Sequence, residues 1–365
     1  QPDRILDLLE IAAYVFAADR LAPRGSTTSV EYHNWARMMK FRIRVRDAPF
    51  WNRKDVAQKL SSALLFMTGD RDYHFEFEPG RQALPAHLFD KEEFRLEAPG
   101  PTSVVLFSGG LDSLGGALDR LCSTDEQVCL VSHRSGQPSI KHTQESLVAA
   151  LNRMYPGRVA HYSFECGLTG FRAPEETQRT RAFLFGATAF AVARALSLTN
   201  YFVYENGITS MNFRRRQDLI NARASRTTHP ATNAHMADLL SEIAGEPFRV
   251  VNPYWSQTKT DVLQGLRDRG GEGLLGSAVS CSTTIRTEGD ATHCGYCYQC
   301  VDRRLASFAA GLDEVDDCGI YCHDIFTGGI EPPVARTTVV DFVRQARDFA
   351  RSRPDGFLAE HADEL

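Results

Sequence analysis

The sequence predicts an α/β protein: a doubly wound parallel sheet, preceded by an N-terminal α+β unit and followed by a cysteine knuckle. Three observations predict it. After Thr102, short β-type runs alternate with helical patterns. Within Val104–Leu121 a strand, a glycine loop and a helix follow one another. Cys281, Cys294, Cys297 and Cys300 form the pattern C-x12-C-G-x-C-x2-C.

The chain has 365 residues, enough for a sizeable core and more than one domain. Three parts are expected: an N-terminal unit over 1–100, a sheet domain over 101–311 that includes the knuckle at 281–300, and a helical tail over 312–365. A net charge of −5 sets up no basic field for nucleic acid. No run of about 18 apolar residues occurs, so no membrane-spanning helix is expected. Nine cysteines, four of them in one cluster, point to a reducing cytoplasm rather than a disulfide framework. No signal peptide is read at Gln1.

Ile5, Leu8, Leu9, Ala12, Val15 and Phe16 recur at helical spacing and predict an amphipathic helix over Asp3–Asp19. Pro23–Ser29 is a loop. Phe41, Ile43 and Val45 alternate with Arg42, Arg44 and Arg46, the pattern of a half-buried strand. Val56, Leu60, Leu64 and Met67 mark a helix over Lys54–Met67, and Tyr73, Phe75 and Phe77 alternate with His74, Glu76 and Glu78 in a second strand. Side by side, these strands would set arginines against glutamates, a structural reason for a row that otherwise resembles a phosphate patch. Pro79–Pro101, rich in charge and turn residues, is the expected boundary.

Beyond it, strands are predicted over Thr102–Phe107, Gln127–Ser132, Arg158–Phe164, Tyr201–Tyr204 and Phe248–Val251. Helices are predicted over Ser113–Leu121, Lys141–Met154, Thr180–Leu198, Thr232–Ala244 and Thr258–Arg269. Ala182–Leu198 is apolar nearly all round and should be buried. Ligands of such sheets sit off the carboxyl ends of the strands. That places Ser108–Ser113, His133–Gly136, Glu205–Gly207 and Asn252–Lys259 around one crevice. Val339, Phe342, Val343, Ala346 and Phe349 define a last helix, after which Arg351–Leu365 is expected to fray.

The loop Ser108–Gly109–Gly110 joins a strand to a helix N-terminus. Its glycines clear the approach to backbone N–H groups, the helix dipole favours an anion, and Ser108 and Ser113 add hydroxyl donors. Asp112 would repel a bare phosphate, so its expected task is to hold a metal that rides on the phosphates. The four cysteines match a closed tetrahedral zinc site, structural rather than catalytic. His293 adjoins the knuckle as a weaker substitute ligand. Cys318, Cys322 and His323 make a thin second candidate, and Cys122, Cys129 and Cys166 read as packing residues.

The motif SGGLDS resembles the PP-loop of the N-type ATP pyrophosphatases, which cleave ATP between the α and β phosphates. The GK[ST] of a Walker A loop is absent. Together with CGxCxxC and the run Arg303–Arg304–Leu305–Ala306–Ser307–Phe308, it resembles the 7-cyano-7-deazaguanine synthases of the QueC type, over about Thr102–Gly311. That resemblance implies a fold of the adenine-nucleotide α-hydrolase type, with ATP, Mg²⁺ and a structural Zn²⁺. It also implies adenylation of a 7-deazaguanine carboxylate, with AMP then displaced by an amine. By the same resemblance Ser108, Gly109, Gly110, Asp112 and Ser113 carry the phosphates; His133 joins them as a nucleotide-binding candidate from its place at the crevice. Thr180–Arg181 stands where the family has an Arg-Asn pair, and Lys259 where it has a lysine before the late helix. Asp112, Arg181 and Lys259 are therefore the catalytic candidates, and Asn206, Arg226, Thr227 and Thr228 the substrate-binding ones.

Three departures bear on the acceptor. Tyr204–Gly207 and Asn212–Arg216 replace the family's strand-end pattern. Ala224–Pro230 stands in place of its YPDCR-like loop. The first hundred residues have no counterpart in the ordinary synthases. These features resemble the QueC-like proteins of bacterial anti-phage operons, of the Qat and CBASS-associated kinds, which are implicated in attaching a deazaguanine to a partner protein's N-terminal amine. Arg214, Arg215, Arg216, Arg223 and Arg226 offer cations for a carboxylate or phosphate, or form a solvated basic loop. The expected activity is an ATP-dependent ligase whose partners are a 7-deazaguanine and an acceptor protein, with a homodimer left open. Its rivals are synthesis of the free nitrile from ammonia, a thiolase acting on tRNA, and a non-enzymatic nucleotide sensor. The thiolase lacks a cysteine pair near the loop. The sensor would have little use for Asp112.

Overall fold

The computed structural model describes residues 2–24, 36–80, 100–134, 138–170, 173–175, 178–213, 226–282, 291–327 and 333–362. Helix α1 (Pro2–Leu21) buries Leu8, Ile11, Ala12, Val15 and Phe16, the face that its spacing predicts. Strands β1 (Met38–Val45) and β2 (Asp72–Pro79) are joined through helices α2 (Ala48–Trp51) and α3 (Lys54–Thr68). They run parallel, so the pair is a βαβ unit rather than the α+β arrangement expected. Phe41 lies opposite Phe75 and Arg42 opposite Glu76. Arg42 reaches Glu76 at 3.1 Å, as cross-strand pairing requires. Arg46 leaves that row and binds Asp7 and Glu10 of α1 at 3.0 and 2.8 Å.

The main sheet has five parallel strands in the order β5-β4-β3-β6-β7: β3 (Thr102–Leu106), β4 (Gln127–Arg134), β5 (Val159–Glu165), β6 (Asn200–Phe202) and β7 (Arg249–Val251). The intervening helices are α4 (Leu111–Ser123), α5 (Pro138–Met154), α6 (Arg181–Ala195), α7 (Gly207–Met211), α8 (Pro230–Ala244) and α9 (Lys259–Asp268). Each face of the sheet carries its own core. On one, Val105 and Leu130 meet Leu114, Leu118, Leu147 and Leu263 of α4, α5 and α9. On the other, Val104 and Val131 meet Phe183 and Phe190 of α6 and Leu239 of α8. A sheet buried on both sides explains why its central strands read as continuous apolar runs.

That second core does not stop at the expected boundary. Leu8, Phe16, Ile43, Leu60 and Phe77 belong to the same buried cluster as Phe183, Phe190 and Phe248. Helix α1 packs on α6, and α3 on α8. A buried ion network seals the junction. Arg24 and Arg37 each pair with both Asp19 and Asp70. Asp19 also accepts from the Thr180 N–H and hydroxyl at 3.0 Å each, which ties the head of α6 to α1.

Two C-terminal elements differ from expectation. Helix α10 (Tyr298–Ala309) escapes the apolar pattern because it buries Arg303 and Arg304. After α11 (Pro333–Arg351), helix α12 (Pro354–Glu360) forms where fraying was expected. Phe357 holds it, with its ring 5.4 Å from Phe213 and 5.3 Å from Phe349. Among the described residues no helix is long and apolar enough to cross a membrane.

Candidate functional site

Strand β3 ends where the strand order reverses, with β4 on one side and β6 on the other. A crevice at the carboxyl ends follows from that topology. The chain turns there through Ser108–Gly110 into α4. Gly109 takes φ +85°, a conformation that favours glycine. The Ser108 hydroxyl accepts from the Gly110 N–H at 3.2 Å and lies 3.1 Å from the Ser113 hydroxyl, which donates to the Gly110 carbonyl at 3.0 Å. No side chain caps the start of α4, so its first N–H groups keep their capacity for an anion. Gln144 Nε2 donates to the carbonyls of Ser108 and His133 at 3.3 and 3.4 Å, and the Val279 N–H donates to the Gly109 carbonyl at 3.2 Å.

Asp112, the second residue of the helix, is 6 % exposed. Its countercharge is Lys259, the first residue of α9, which is 7 % exposed. A capping box between Thr258 and Asp261 fixes that helix start. Asn206 Nδ2 donates to the same Asp112 oxygen at 3.2 Å, while Asn206 Oδ1 caps α7 through the Thr209 N–H. Asp112 Oδ1 is buried with no hydrogen-bond partner. Burial alone would raise the Asp112 pKa, but the Lys259 charge and the hydrogen bonds outweigh it and hold the carboxyl below its ordinary range. Burial would likewise lower Lys259, and the Asp112 and Glu205 charges raise it instead. Glu205 moves the other way. Burial, then the Asp112 charge, push its carboxyl well above the usual range. Asp112 and Lys259 thus form an ion pair beside a carboxyl whose ionisation is opposed by burial and by the Asp112 charge.

The remaining predicted residues separate into two groups. Thr228 stays with the crevice: its hydroxyl accepts from Ser210 at 3.4 Å, and Ser210 receives a bond from Asn252 at 3.2 Å. Thr227 stands beside it, half-buried in the same turn. Arg226 turns toward the N-terminal unit, its guanidinium 4.9 Å from the Phe66 ring. His133 points its ring away from the loop. It packs against Phe185 and Phe164 at 5.0 and 5.2 Å, and its Nε2 lies 3.0 Å from the Cys166 carbonyl. Burial lowers its pKa. Arg181 is exposed near the same rings and joins no hydrogen bond of the Asp112 cluster. Ser135–Gly136, Arg214–Arg216, Arg223 and Ala224–Ser225 lie outside the described residues.

The four thiols of Cys281, Cys294, Cys297 and Cys300 all lie within 4.8 Å of one another. The Cys281–Cys297 and Cys294–Cys300 sulfur distances are 4.0 and 3.9 Å. A tetrahedron with Zn–S near 2.3 Å has edges of about 3.8 Å, so this donor set fits zinc. Gly295 makes the knuckle possible twice over. Its φ is +81°, and a Cβ there would lie 1.7 Å from the His323 carbonyl oxygen. His293 is no ligand. Its Nε2 takes bonds from the Ser280 N–H at 3.2 Å and from Arg303 at 3.0 Å. Burial, then the Arg303 charge, push its pKa down to about 3. Among the described residues Cys318, Cys322 and His323 form no second cluster.

The knuckle and the loop are one assembly. Fully buried Arg303 pairs with Asp316 and donates to the carbonyls of Leu275 and Ala278 at 2.9 and 2.5 Å, which holds Val279 against Gly109. Sequence reasoning placed Glu205 and Asn252 at the crevice without a chemical task, and gave none to Gln144, Asp302 or this arginine. Asp302, two residues after Cys300, adds its charge to the field at Lys259 and Glu205. No family model matches the chain, and no curated protein matches it.

Proposed function

We propose that this chain is an ATP-dependent ligase that releases AMP and pyrophosphate and activates a 7-deazaguanine carboxylate for transfer to an amine. What supports it is one juxtaposition. A serine- and glycine-rich loop with an uncapped helix N-terminus sits at the reversal of strand order, and the first turn of that helix carries a carboxylate locked by Lys259 and Asn206. The loop N–H groups and the Ser108 and Ser113 hydroxyls cradle the phosphates. Lys259 neutralises negative charge that develops as the α-phosphorus takes the substrate carboxylate and the pyrophosphate leaves. The unpartnered Asp112 Oδ1 fits Mg²⁺, which would supply further charge neutralisation on the phosphates. The cysteine cluster, loaded with zinc, braces the loop through Val279.

The acceptor amine belongs to a partner protein. In the described sheet β1 and β2 pair only with each other, so each leaves an edge to which an extended peptide can add. The test is turnover. Purified chain, ATP, Mg²⁺ and 7-carboxy-7-deazaguanine should release pyrophosphate, with AMP following when an amine acceptor (ammonia or the co-expressed partner) is added, and Asp112→Asn should stop both with the fold intact. ADP and phosphate as products would sink the proposal. Mass spectrometry of a co-expressed partner then separates conjugation from free nitrile.

A further inference from the structure

Beside His133 stand two arginines that join no carboxylate ion pair among the described residues. Arg24, Arg37, Arg46, Arg303 and Arg304 all pair with carboxylates. Among the described residues Arg20 and Arg181 do not, and Arg20 Nε is buried with no hydrogen-bond partner. A row of rings connects them. The Arg20 guanidinium lies 5.7 Å from the Phe16 ring, and Phe16 meets His133 edge-on at 6.3 Å. His133 meets Phe185 at 5.0 Å, and the Arg181 guanidinium lies 5.7 Å from Phe185. Phe164 closes the row, 5.2 Å from His133. Phe16 is buried, whereas His133, Phe164 and Phe185 are only half-buried and Arg181 is exposed. The row lies at the carboxyl ends of β4 and β5, and Gln144 ties the His133 carbonyl to that of Ser108 in the loop.

Half-buried rings accept a flat ring by stacking, and unpaired guanidiniums accept an anion. We propose that Arg20, Arg181 and the rings between them form a subsite for a planar heteroaromatic carboxylate, with the ring on the aromatic row and the carboxylate drawn by the two arginines. As the seat of the deazaguanine carboxylate it rests on the function proposed above. It also gives α1, an element absent from the ordinary synthases, a direct part in substrate recognition.

Isothermal titration of the full chain with 7-carboxy-7-deazaguanine, its neutral 7-cyano counterpart, indole-3-carboxylate and indole-3-carboxamide tests it. Each carboxylate should bind about tenfold tighter than its neutral partner. Arg20→Gln should bring that ratio close to one and Arg20→Lys should restore part of it, with ATP affinity within about twofold of wild type. A ratio that survives in both Arg20→Gln and Arg181→Gln overturns the subsite. So does a fall in ATP affinity that tracks the ratio, which would make the row part of the nucleotide site. If only indole-3-carboxylate binds, with the same Arg20 dependence, the subsite stands and the deazaguanine reading falls. If neither carboxylate binds while ATP still yields AMP and pyrophosphate, the subsite falls alone.

Discussion

Lys259→Met keeps most of the length of the side chain and removes its charge. Asp112, 6 % exposed, then retains Asn206 as its donor but has lost its countercharge. Removing one partner of a buried pair costs about 3–5 kcal/mol. The cost depends on pH, and its sign follows from the carboxyl. In the wild type Asp112 is held below its unfolded pKa, so the pair contributes fully above about pH 4 and its contribution is lost as pH falls through the folded value. In the variant burial is left to act and lifts Asp112 above the unfolded value. The folded variant then keeps a proton that the unfolded chain releases, and its stability falls as pH rises through that window. The gap between wild type and variant should therefore widen from pH 4 to pH 7.5. Urea unfolding at the two pH values measures it. The double variant Asp112→Asn/Lys259→Met removes both charges and should recover most of the loss. A cost under about 1 kcal/mol at pH 7.5, or one that does not change with pH, would mean that solvent screens the pair and that the reasoning is wrong.

Metal analysis should find one zinc per chain, and chelation should lower the melting temperature and weaken ATP binding together, because the knuckle holds Val279 on the Gly109 carbonyl. Loss of zinc with ATP affinity unchanged would disconnect the two. Gly295→Ala forces a Cβ into the His323 carbonyl at positive φ and should cost at least about 2 kcal/mol by urea midpoint; a change within about 0.5 kcal/mol would refute that contact. Deleting residues 2–80 strips the cover from Phe183 and Phe190 and should give a chain that binds hydrophobic dyes and unfolds without a sharp transition. A cooperative, dye-free truncation would show that the shared core is dispensable.

The loop and the knuckle were legible because glycine and cysteine punctuate a sequence in a way that no tertiary contact rewrites. The sheet was legible because a strand buried on both faces must be apolar throughout. Asp112 was placed at the phosphates, but its partner was not readable: Lys259 lies 147 residues away, and pairing at that range leaves no local pattern. The same holds for Asp19 and Thr180, whose bond crosses the boundary expected near residue 100. His133 shared a strand end with the crevice, yet its ring turns toward the aromatic side chains of α1 and α6. Helix α10 hid behind buried arginines that a polarity count scores as surface.

The shared core also orders events during synthesis. The βαβ unit of the first eighty residues is complete early, but the sides of α1 and α3 that it offers to α6 and α8 stay uncovered until those helices leave the ribosome. Phe248, the last member of that core, emerges some 168 residues after Gly80. At translation speeds of about 5–20 residues per second, the uncovered interval is on the order of ten seconds. Throughout it a nascent chain presents Leu8, Phe16 and Leu60 to solvent, which makes this protein a client for whatever shields apolar surface at the exit tunnel. Slowing translation just upstream of α6 should lengthen the interval and lower the soluble yield without changing a residue.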